Sequence, residues 1–60
     1  MKTGQYLVAC PALNEREIVT GIERATDICY AMHHEAGDYA FVEDWLGWTT
    51  IEYGAAYEAS

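Results

Sequence analysis

Apolar residues recur between positions 14 and 37 at Ile18, Ile22, Ala25, Cys29, Met32 and Ala36. Steps of four and three put these on one side of an α-helix, and Val19 and Ile28 widen the stripe. Asn14 is placed to cap the first turn through its side-chain oxygen, with Glu17 in the capping-box position three residues on. Leu13 is placed as a hydrophobic staple against Ile18. Gly37 supplies the left-handed residue on which helices commonly end. The pattern predicts a helix over residues 15–36, with Gly21 inside it at a cost of about 1 kcal/mol relative to alanine. Glu15 and Glu17 suit its positive end, and His33 and His34 its negative one.

On either side the period changes to two. Residues 5–10 (QYLVAC) read as a β-strand that stops at Pro11, which has no N–H to give a ladder. Residues 38–42 (DYAFV) put Tyr39 and Phe41 on one face and Ala40 and Val42 on the other. Residues 48–53 (WTTIEY) separate Trp48, Thr50 and Glu52 from Thr49, Ile51 and Tyr53 in the same way. Residues 43–47 (EDWLG) are the turn that joins these runs as an antiparallel hairpin. Residues 54–60 are weakly patterned, a tail or a last helical turn. The expected fold class is α+β in β-α-β-β order, one long helix packed on a small antiparallel sheet. Such a helix covers one sheet face and leaves the other for contact.

Sixty residues make a single small acidic domain, 1–60, of a size that buries only about 60% of its unfolded surface. A hydrophobic fraction of 52% is nonetheless too high for a disordered chain. Charge alters the picture more. Ten carboxylates against three bases give a net charge of −7, and no Lys or Arg follows Arg24. Such a surface repels nucleic acid and anionic membrane and attracts basic protein surfaces, although acidity also simply keeps a small domain dispersed. The apolar run before Pro11 is too short for a signal peptide, and no stretch approaches a membrane span. A cytoplasmic location is expected, with Cys10 and Cys29 as free thiols.

Candidate chemistry is sparse. Cys29 and His33 stand four apart on the predicted helix and Cys10 could approach from the strand, but no CxxC or HxxxH completes a ligand set. No metal or cofactor is expected. Glu43–Asp44 and His33–His34 lack a pocket to tune them, and no GxSxG, HExxH or P-loop occurs, so no catalytic residue is assigned.

What remains is an acidic aromatic set: Asp38, Glu43, Asp44, Trp45, Trp48, Glu52, Tyr53 and Glu58. Carboxylates two apart on a strand sit about 6.6–6.8 Å from each other, close to the spacing of backbone phosphates, and neighbouring Trp residues supply interface anchors. In kind and in element order the chain resembles small virus-encoded proteins that bind and disable host polymerases, nucleases or defence complexes. That resemblance implies a non-enzymatic inhibitor acting in the host cytoplasm, a DNA mimic pressed against the basic surface of a nucleic-acid enzyme; no family residue is carried over. The second reading is a structural or regulatory homodimer that associates through an aromatic sheet face, with Trp48 or Tyr53 at the contact.

Overall fold

The structure is a computed structural model and describes residues 1–54. Its elements are strand β1 (Gln5–Cys10), a 3-10 turn (Pro11–Leu13), β2 (Glu15–Thr20), helix α1 (Ile22–Ala36), β3 (Ala40–Glu43) and β4 (Thr49–Tyr53). The strands form one sheet in the order β2-β1-β3-β4, antiparallel throughout. This is the expected α+β arrangement of a helix on a small antiparallel sheet, with one strand more than the expected order. Residues 54–60 carried an expectation of a tail or helical turn, and positions 55–60, Glu58 among them, lie outside the described residues.

The additional strand replaces the first turns of the expected helix. Glu15-Arg16-Glu17-Ile18-Val19-Thr20 ends in three consecutive β-branched residues, which are stiff in a helix and pack well on a pleated sheet. Read with period two, the same residues place Val19 on the buried side and Arg16, Ile18 and Thr20 on the other. Pairing with β1 from Gln5↔Thr20 to Cys10↔Glu15 also supplies the ladder that one side of β1 otherwise lacks.

Three local assignments change with it. Asn14 does not cap a helix; it takes the left-handed conformation (φ 54°, ψ 41°), closes the 3-10 turn and donates its N–H to the Pro11 carbonyl oxygen at 3.0 Å. Leu13 packs against the core while Ile18 points away, 56% exposed, so no staple forms between them. Gly21 is the residue before the helix rather than an interior one, at φ 93° and ψ 134°, a conformation essentially reserved for glycine. The far end of α1 is as expected: Gly37 is left-handed (φ 65°) and its N–H donates to the His33 carbonyl oxygen at 2.8 Å.

The helix lies over one face of the sheet. Its Ala25 and Cys29 are fully buried against Val8 and Cys10 of β1, Val19 of β2, and Ala40 and Val42 of β3. Ile28, Met32, Ala36, Leu13, Tyr6, Ile51 and Tyr53 close the rim of this core. The opposite face, carrying Leu7, Ala9, Arg16, Ile18, Phe41, Glu43 and Glu52 by register, has no layer on it among the described residues.

Candidate partner-binding surface

The β3–β4 hairpin carries most of the acidic aromatic set. Its loop is built around Asp44, whose Oδ1 accepts the N–H groups of Leu46 and Trp48, each at 2.9 Å. The Asp44 N–H donates to the Trp48 carbonyl oxygen, and its carbonyl accepts from Gly47 at 3.0 Å. An acceptor-only carboxylate satisfies two loop donors at once, the usual reason for Asp at a turn. Asp44 is therefore a shaping residue of the loop before it is a contact residue.

That loop turns its two tryptophans in different directions. Trp45 is half-buried and stands edge-on to Tyr6, ring centroids 5.7 Å apart and planes at 79°. Trp48 is 71% exposed and Leu46 70%, so the hairpin tip presents two large apolar side chains to water. The composition ranked the tryptophans equally, and no periodic signal in a five-residue turn distinguishes them.

Glu43 and Glu52 lie on the uncovered sheet face, one at the end of β3 and the other opposite Phe41 in β4. The Tyr39 hydroxyl donates to Glu52 Oε2 at 2.7 Å, and its ring lies 5.5 Å from that of Phe41. Asp38 sits before β3, at the opposite end of that strand from Asp44. Its Oδ1 accepts the Tyr39 N–H, and its carbonyl oxygen lies 2.6 Å from His33 Nδ1. A carbonyl only accepts, so Nδ1 carries the proton. Tyr53 belongs to the helix side, stacked on His33 (5.8 Å, 20°) and edge-on to Tyr30 (5.4 Å, 76°).

The set is thus divided. Glu43, Asp44, Trp45 and Trp48 cluster at the hairpin end, Glu52 lies on the edge strand β4, Asp38 is at the far end, and Tyr53 faces the helix. Two carboxylates at the phosphate-like spacing of an extended strand do occur, at Glu15 and Glu17 on the edge strand β2. The helical period that residues 15–20 also satisfy hides this spacing in the sequence. Arg16, Ile18, Leu7 and Phe41 share the uncovered face, a grouping defined only by the β1–β2 and β1–β3 pairings, which no local pattern announces.

Cys10 and Cys29 are both buried and both free thiols. Burial, and secondarily the nearby Cys10, push the Cys29 thiol from 9.0 to about 11. Among the described residues no three His, Cys, Asp or Glu side chains are grouped to hold a metal ion. None of the described helices is long and apolar enough to cross a membrane. Compared with known proteins, the chain matches no family model, no curated protein and no solved structure.

Proposed function

We propose that this chain is a non-enzymatic protein-binding inhibitor that docks through the tip of its β3–β4 hairpin on the basic surface of a nucleic-acid-handling enzyme. The observation that carries this reading is the tip itself, where Trp48 and Leu46 stand 71% and 70% exposed beside Glu43 and Asp44. Large apolar side chains held out by an ordered loop are typical interface anchors, and the tryptophan fills a pocket while the flanking carboxylates meet Arg and Lys. The net charge of −7 favours encounter with a basic partner over nucleic acid. Mimicry of a nucleic-acid strand by the acidic hairpin is the finer form of this proposal.

The test is capture from a cell lysate on the immobilised protein, washed across a salt series, with wild type beside Trp48→Ala and Glu43→Lys. The reading expects one nucleic-acid enzyme, released steeply as salt rises, lost with Trp48→Ala and weakened with Glu43→Lys. Retention that both substitutions leave untouched, in amount and in salt dependence, would rule the hairpin out.

A further inference from the structure

The uncovered face holds one continuous cross-strand row. Arg16 of β2 is opposite Ala9 of β1, Ala9 is opposite Phe41 of β3, and Phe41 is opposite Glu52 of β4. Read across the sheet the row is cation, small, large aromatic, anion. Reversed, it is its own complement. Beside it Ile18 is 56% exposed, and a hollow of about 330 Å³ runs from Leu7, Ala9, Arg16 and Phe41 out to the β1–β2 turn at Pro11 and Asn14.

From this we infer that the uncovered face pairs with a second copy of the chain, related by a two-fold axis parallel to the strands. Such an axis reverses strand order while keeping position along the strands, so β2 lies over β4 of the second copy and β1 over its β3. Arg16 then meets Glu52 of the other copy, and Phe41 enters the hollow above its Ala9. Both contacts occur twice, as a two-fold interface requires. Facing sheets pack about 10 Å apart with strands within about 30° of one another, a rotation that moves the outer strands by roughly 4 Å, which an arginine side chain can follow. The Tyr39 hydroxyl, bonded to Glu52 Oε2, already holds that carboxylate in place on this face. In the next row Glu43, the last residue of β3, falls opposite Leu7 of the second copy.

Area sets the strength. Four strands about 4.8 Å apart and about five residues long present on the order of 300 Å² in projection, below the ~800 Å² per partner of a stable complex. The dimer is therefore a weak, transient one that forms only at high protein concentration. This inference does not rest on the hairpin reading, because Trp48 and Leu46 take no part in it.

Sedimentation equilibrium of the purified chain up to about 1 mM tests it, with Arg16→Glu, Glu52→Arg, the double exchange and Trp48→Ala in parallel. Each single reversal is expected to raise the dimer Kd at least about tenfold, and the double exchange to bring it back to within about threefold. Trp48→Ala is expected to leave it unchanged. Circular dichroism confirms that these exposed substitutions keep the fold, and Phe41→Ser supplies a further disruption if one does not. A wild-type monomer throughout the range overturns the inference, as does a dimer that the reversals do not weaken or the double exchange does not restore.

Discussion

The indole of Trp45 and the phenol ring of Tyr6 meet edge to face at 5.7 Å, tying the hairpin loop to the first strand. Trp48, three residues away in the same loop, is 71% exposed. The two tryptophans should therefore separate cleanly on substitution. Trp45→Ala loses a half-buried aromatic contact and is expected to destabilise the fold by about 1–3 kcal/mol, against less than about 0.5 for Trp48→Ala. Urea denaturation of the two variants reads the difference, and a reversed ranking would contradict the loop geometry.

Asp44 accepts two loop N–H groups with one carboxylate oxygen. Asp44→Ala leaves both without that acceptor and is expected to cost about 1–2 kcal/mol, with Asp44→Asn recovering part of it through its side-chain carbonyl. Thermal melts of the two variants check this. Charge reversal at Asp44 would disturb the loop as well as the surface, which makes Glu43 the cleaner position for testing contact.

Gly21 stands at φ 93°, and a Cβ built there meets nothing within 4 Å. The penalty for a side chain is thus purely conformational. Gly21→Ala is expected to destabilise by about 1–3 kcal/mol, although alanine would favour a helix continuing through this point. A stabilised Gly21→Ala variant in denaturant would mean that strand β2 and α1 are one helix after all.

The Cys29 thiol is raised from 9.0 to about 11 by burial and by the nearby Cys10. Below pH 9 the thiol is protonated whether the chain is folded or not, and its contribution is fully present. Above pH 9 the unfolded chain ionises first, so stability falls until about pH 11, by up to about 1.4 kcal/mol per pH unit. Denaturation midpoints of wild type and Cys29→Ala between pH 7 and 11 should diverge over that window. Parallel curves would show that the thiol is not shielded.

Strand β1, the β3–β4 hairpin and the end of α1 at Gly37 were legible because each has one strong local signal: Pro11 after the strand, a clean alternation, a left-handed glycine. The start of the helix was not. Residues 15–20 satisfy both periods, since Ile18 fits the helical stripe and Val19 the buried face of a strand. Asn14, Glu17 and the spacing to Ile22 all imitate a helix start. Propensity alone, three β-branched residues before a glycine, favoured the strand, and the vacant edge of β1 decided it. The acidic aromatic surface suffered from the same limit. Composition named its members and alternation put Glu52 and Tyr53 on opposite faces, but only the sheet order shows that Tyr53 is on the side the helix covers.

The sheet order also bears on how the chain comes together. β1 with β2, and β3 with β4, are each joined by a short loop and can close locally, in roughly 1–10 µs for an isolated hairpin. The β1–β3 pairing, from Leu7↔Glu43 to Ala9↔Phe41, spans the whole helix and requires a far larger loop to close. It is short, and α1 bridges it through Ala25 and Cys29. The molecule is best seen as two hairpins clasped along a single seam. Amide hydrogen exchange along β3 should accordingly report whole-molecule opening, because neither hairpin keeps a buried core once that seam parts.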